Sequence, residues 1–292
     1  MSKILVACTS TGCIEYAPER YHNLGIDIIR IHMFFKGNEY LEGLDLDPVK
    51  FYDELETLKD PKNNLPYTSM PSIKELQDFY ESAIERGYDE VFVVAISSGL
   101  GGTYNLIKHV GKDYADRLKI VVIDSKTTCF NEGLLAITAK EMVDKGATLE
   151  EITGAVNKMI STQEFLGVDG KLDYLIYNGR LKGGKALIGK MMQICPVIHF
   201  NKEGNIVTLQ TVRTPKKALR ATCEELKKLI GNHSSDEYIL LHVYTGKSLL
   251  NDLIEIEKEY GITCNHEDVI MSPVSGCHNG PWLAGYLLTF KP

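Results

Sequence analysis

The chain has 292 residues, of which 44% are hydrophobic and 24% charged, and its formal net charge is −7. That length suits about two ordinary domains with sizeable cores, and the composition excludes a disordered chain. The acidic balance, with no stripe of Lys and Arg, excludes a generic nucleic-acid binder.

The first half alternates strand and helix. Lys3–Ala7 is a short apolar run that reads as a first strand, not a signal peptide. No segment approaches the roughly 20 apolar residues of a membrane span, so the protein is expected in the cytoplasm. Ile26–Ile31 is a second strand. Asp47–Leu58 has helical spacing, with Val49, Phe51, Tyr52 and Leu55 on one side. Ser72–Arg86 repeats apolar residues at i, i+3 and i+4, with Ser72 as N-cap and Glu75 at the capping-box position. Strand Glu90–Ile96, helix Gly102–Asp113, strand Lys119–Ile123 and helix Gly133–Lys145 follow. Such alternation implies a parallel sheet covered by helices on both faces.

The second half differs. Thr148–Gln163 reads as one more helix, and Asp173–Gln193 as two short helices broken by glycines. Strands Pro196–Phe200 and Asn205–Val212 are joined by a hairpin turn, Asn201-Lys202-Glu203-Gly204. Pro215–Ile230 and Ser248–Tyr260 are helices around strand Tyr238–Tyr244, and Asp268–Ser272 and Trp282–Phe290 close the chain as strands. The expected fold is therefore α/β in two domains: residues 1–165 with a parallel sheet, and residues 166–292 with a mixed sheet. The seven cysteines have irregular spacing and no CxxC, which fits reduced, buried thiols.

Four segments carry chemistry. Ser97-Ser98-Gly99-Leu100-Gly101-Gly102-Thr103 ends a parallel strand and opens a helix. Ligands of open α/β sheets bind at that edge, and free N–H groups there attract an anion or a carbonyl oxygen. Tyr104 stands where a dinucleotide loop needs glycine, no Gly-Lys-Ser/Thr follows, and G-x-S-x-G is absent. Tyr67-Thr68-Ser69-Met70-Pro71-Ser72 is a second hydroxyl cluster. Gly276-Cys277-His278-Asn279-Gly280-Pro281 places a histidine in an expected loop, where imidazole can serve a carboxylate or a serine. Gly179-Arg180-Leu181-Lys182-Gly183-Gly184-Lys185 offers cations for an anion, or a tight turn between helices. An acyl hydrolase with Ser97 as nucleophile and His278 as base would have Asp124 as its one strand-end acid. Cys264-x-His266 and Cys277-His278 lack the paired spacing of zinc sites, and no metal is expected.

Taken together and in this order, these segments resemble the DegV family of bacterial lipid-binding proteins over essentially the whole chain. The residues that carry the resemblance are Thr68-Ser69-Met70-Pro71-Ser72, Ser97 to Tyr104, Val122-Ile123-Asp124-Ser125, Leu175 to Lys185, the hairpin from Cys195-Pro196 to Gly204, and His278-Asn279-Gly280-Pro281. Departures are Gly101 in place of a usual serine, Cys8-Thr9-Ser10-Thr11-Gly12-Cys13 in place of a run bearing two acids, and Trp282 in place of a glycine. The indole of Trp282 is expected beside the ligand mouth.

The resemblance implies a long-chain fatty acid held in a tunnel between two domains. It also implies a separate fatty acid kinase to which the carboxyl group is presented for acyl phosphate formation. The chain itself would be a non-catalytic lipid carrier with no cofactor and a transient approach to membranes; it is expected as a monomer, since two domains already close their own groove. By the same resemblance Thr68 and Ser97 bond the carboxylate and His278 completes the network. Ser69, Ser98 and Gly99 lie beside them, and Arg213 meets the kinase. A fatty acid has about 16 methylenes, each worth roughly 0.8 kcal/mol when buried, so neutral donors suffice for its head.

Overall fold

The computed structural model describes residues 2–185 and 194–292. The second short helix expected within 173–193 lies outside the described residues. The strands are β1 (Ile4–Thr9), β2 (Asp27–Ile29), β3 (His32–Phe35), β4 (Asn38–Leu41), β5 (Tyr67–Ser69), β6 (Glu90–Ala95), β7 (Lys119–Asp124), β8 (Glu164–Asp169), β9 (Cys195–Phe200), β10 (Ile206–Val212), β11 (Tyr238–Tyr244), β12 (Val269–Ile270) and β13 (Leu283–Phe290). The helices are α1 (Pro48–Glu56), α2 (Pro61–Asn64), α3 (Ile73–Glu85), α4 (Thr103–Gly111), α5 (Cys129–Asp144), α6 (Leu149–Thr162), α7 (Asp173–Tyr177), α8 (Pro215–Ile230), α9 (Lys247–Tyr260) and α10 (Pro273–Asn279).

The first sheet is wholly parallel, in the order β2-β1-β6-β7. Side chains of its strands alternate between two apolar layers. Leu5, Ala7, Val91 and Val93 face Leu76, Tyr80, Ile107 and Val110 of α3 and α4. Val6, Cys8, Phe92 and Val94 face Phe130 and Leu134 of α5. The second sheet, β10-β9-β8-β13-β11-β12, is antiparallel except for the β11–β12 pair. Leu241 and Leu287 of this second sheet share the core of α5, so α5 is buried between the two sheets. Asn131 on α5 donates to the Glu164 carbonyl and accepts from the Thr289 hydroxyl.

Helix starts follow their caps. Ser72 and Glu75 form the expected capping box of α3, Thr148 and Glu151 form one on α6, and Thr214 with Pro215 starts α8.

Three features depart from the sequence reading. A separate antiparallel sheet, β4-β3-β5, holds Thr68 and Ser69 within a strand. Residues 164–169 form β8, which hydrogen-bonds to both β9 and β13. Residues 273–279, expected as a loop, form α10: Ser272 caps it through the Ser275 N–H, and Pro273 fits the first turn, where a missing N–H costs nothing.

Candidate functional site

The carboxyl edge of the parallel sheet opens onto a cavity of about 350 Å³ lined by both halves of the chain. Ile31, Thr68, Ser69, Met70, Ile96, Leu100 and Thr128 come from the first half, and Arg180, Ile206, Val274, Ser275, His278 and Asn279 from the second. That size falls within the about 300–1,000 Å³ of small-molecule sites.

Thr68 is placed by the pairing of β5 with β3, opposite Met33. His278 is placed by α10, and α10 by Tyr52 of α1. The Tyr52 hydroxyl donates to the carbonyls of Met271 and Ser272, at 2.8 and 3.1 Å. Its ring crosses α10 at Gly276, where a Cβ would stand 1.8 Å from the hydroxyl oxygen, so only glycine fits. The result is a contact of 3.1 Å between Thr68 Oγ1 and His278 Nε2, across 210 residues of sequence.

The other ring nitrogen, His278 Nδ1, is buried without a partner among the described residues. Burial pushes the His278 pKa down to about 3, and the Arg180 guanidinium adds to the shift. His278 is therefore neutral at pH 7 and can donate one hydrogen bond. Arg180 donates to the Asn178 carbonyl at 2.9 Å, and the Asn178 amide donates to the Cys277 carbonyl at 3.1 Å, which ties the end of α7 to α10. Thr128 Oγ1 and Ser275 Oγ, 3.0 Å apart, join the start of α5 to α10.

The Ser97 loop is arranged differently. The Ser97 hydroxyl is buried, donates to the Gly204 carbonyl at 2.7 Å and accepts from the Gly99 N–H at 3.1 Å. The tip of the β9–β10 hairpin is thus seated on the loop after β6. Gly204 has φ +78°, and a Cβ there would stand 2.0 Å from Ser97 Oγ. Ser97, Ser98 and Gly99 do not line the cavity, whereas the adjoining Leu100, Gly101, Gly102 and Thr103 do. The Ser98 N–H donates to Asp124. Burial raises the Asp124 pKa, but the hydrogen bonds from Lys126 and Ser98 outweigh that and leave it lowered. Asp124 binds the Lys126 ammonium at 2.8 Å. Among the described residues no hydrogen bond joins Ser97, His278 and Asp124, so the parts of a serine hydrolase are not assembled.

Arg213 is exposed, just beyond β10. It lies seven residues from cavity-lining Ile206, roughly 23 Å at about 3.3 Å per residue of extended strand. Trp282 does not line the cavity mouth where it was expected. Its ring packs edge-on against Tyr174, with the Lys171 ammonium 3.5 Å from its centroid.

Two buried acids behind the cavity escaped the sequence reading. Glu132 accepts from Thr9 and from Thr11, the latter at 2.9 Å. Thr9 in turn accepts from the N–H of cavity-lining Ile96 at 3.0 Å. Burial pushes the Glu132 pKa up to about 8. Glu42 accepts from the N–H of cavity-lining Val274 at 2.8 Å, and burial pushes its pKa up to about 7. The segment that lacks the usual acids at Cys8–Cys13 thus receives a carboxyl group from α5 instead.

A family model described as "Uncharacterised protein, DegV family COG1307" matches residues 3–291. A DegV domain-containing protein of Listeria monocytogenes is 29% identical over 293 residues, covering 99% of each chain. A fatty acid binding DegV family protein from Streptococcus agalactiae superposes with a TM-score of 0.89 at 28% identity over 100% of both chains. A stearic acid-binding protein from Eubacterium ventriosum does so with a TM-score of 0.82 at 26% identity over 100% of this chain and 99% of that one.

Proposed function

The chain belongs to the DegV family, and on that premise we propose that it binds one long-chain fatty acid between its two halves and presents the carboxyl group to a separate kinase. The observation that carries this reading is His278: a neutral, desolvated ring in contact with Thr68, beside Arg180, on the wall of a cavity lined by both apolar and polar side chains. An anion completes that arrangement, because it accepts the one proton that the Thr68–His278 pair leaves free and is drawn to the Arg180 charge. The walls formed by Ile31, Ile96, Leu100, Ile206 and Val274 suit an acyl tail. The solved relatives from Streptococcus agalactiae and Eubacterium ventriosum are described as binding fatty acid and stearic acid.

In this reading Thr68 and His278 hold the carboxylate, with Ser69 alongside. Ser97 joins them only by releasing the Gly204 carbonyl, an acceptor of the same kind as a carboxylate oxygen. Ser98 and Gly99 shape the loop that makes this exchange possible. Arg213 is assigned to the kinase-facing surface. The tail supplies most of the affinity, so a head held by neutral donors stays transferable. Native mass spectrometry of the freshly purified chain tests the binding. A mass excess of one fatty acid, released on denaturation, is expected. A chain that carries no lipid and takes none up on incubation with stearic acid would overturn it.

A further inference from the structure

A second polar cluster lies in the C-terminal sheet, away from the lipid cavity. His242 on β11 is buried, Glu257 on α9 is buried, and Cys264 follows α9 in the loop that leads to β12. Nε2 of His242 lies 2.8 Å from Glu257 Oε2 and 3.4 Å from Cys264 Sγ. The three donor atoms all fall within 4.8 Å of one another. Nδ1 of the same ring is 2.7 Å from Asp268 Oδ1. The Tyr286 hydroxyl donates to Glu257 at 2.9 Å.

We propose that His242, Glu257 and Cys264 form a zinc site, with Asp268 orienting the histidine and a fourth position open to solvent. The donor set decides the metal. Imidazole with thiolate suits zinc, whereas magnesium and calcium take oxygen ligands. Tetrahedral zinc with bonds of about 2.0–2.3 Å needs ligand atoms about 3.5 Å apart. The sulfur–nitrogen pair already has that spacing, and the nitrogen–oxygen pair must open by about half an ångström. The ring is turned as a zinc ligand requires, with one nitrogen toward the other donors and the other bonded to a carboxylate. Cys264 is the one cysteine that is not fully buried among the described residues, so an ion would enter past its thiol. Coordination displaces the Cys264 thiol proton and any proton on Nε2. A neutral imidazole, one thiolate and one carboxylate then leave the site formally uncharged. The ion would fasten the loop after α9, which runs through β12 into α10 and so to His278.

The test is a cobalt titration of the chelator-stripped full chain, followed by zinc displacement. One equivalent of cobalt should produce a thiolate-to-cobalt absorption band that zinc abolishes and excess magnesium does not. Cys264→Ser should remove the band, and Asp268→Asn, at a partly exposed position, should weaken zinc binding by about 10- to 100-fold. Absence of a saturable band, or a band that persists in Cys264→Ser, would overturn the proposal. His242 would then be a histidine bridging two carboxylates.

Discussion

His278 gains nothing from charge in its buried position, because the surrounding protein strips it of solvent and Arg180 repels a second positive charge. A bound carboxylate offsets both by its own attraction to a charged ring, so its arrival should raise the His278 pKa, which ring-proton NMR in the presence and absence of stearic acid would follow. A hydrogen bond to a charged group is worth about 1.5–3 kcal/mol. Thr68→Val and His278→Ala should therefore each weaken fatty acid binding by about tenfold or more, measured by displacement of a fluorescent acyl probe. Ser97→Ala should weaken it less, since Ser97 exchanges one acceptor for another. Glu132 governs stability instead. Its pKa of about 8 in the folded chain exceeds the roughly 4.3 of an unfolded glutamate, so its contribution is complete below that value and lost as pH rises through 8. His278 acts in the opposite sense: its contribution is present above about 6.5 and lost as pH falls through 3. Urea unfolding across pH should show Glu132→Gln flattening the alkaline decline while the acid limb stays.

Among elements, α10 has the most exacting fit. Gly276 lets Tyr52 lie against the helix and bind the two carbonyls before it. Gly276→Ala should destabilise the chain by about 1–3 kcal/mol through overpacking, read from urea midpoints, and should also weaken lipid binding by displacing His278. This helix was not legible in the sequence, because Pro273, Gly276 and Gly280 within eight residues read as a loop. Their roles are those of a first-turn proline, a close approach and a terminating glycine at φ +76°. β1 and β6 were legible because each is a continuous apolar run, as a strand buried on both faces must be, and β7, at the sheet edge, because Ile120–Ile123 is such a run at half-burial. β3, β4 and β5 have three or four residues each and mixed exposure, so no periodicity marks them. β8 was hidden by Gly167 in its centre, a glycine where a Cβ would stand 2.6 Å from the Phe165 ring.

At the scale of the whole molecule, the cavity exists only where the two halves meet. Thr68 and His278 could be read from local patterns of hydroxyls and glycines. Their contact, and the roles of Thr128, Ser275 and Glu132, could not, because these residues are separated by up to 210 positions and joined only by folding. A ligand shared by both halves should stabilise them together. At a fatty acid concentration 100 times the dissociation constant the gain is about 2.7 kcal/mol, and calorimetry should show one transition shifted upward. A charge reversal at exposed Arg213 should leave lipid binding intact and reduce acyl phosphate formation by the kinase. The most direct measurement is carbon NMR of stearic acid labelled at its carboxyl carbon and bound to the protein. One bound resonance is expected, displaced from that of free stearate and shifted further by Thr68→Val and by His278→Gln. A bound resonance identical in the wild type and in both variants would contradict the account, because the carboxyl group would then lie elsewhere.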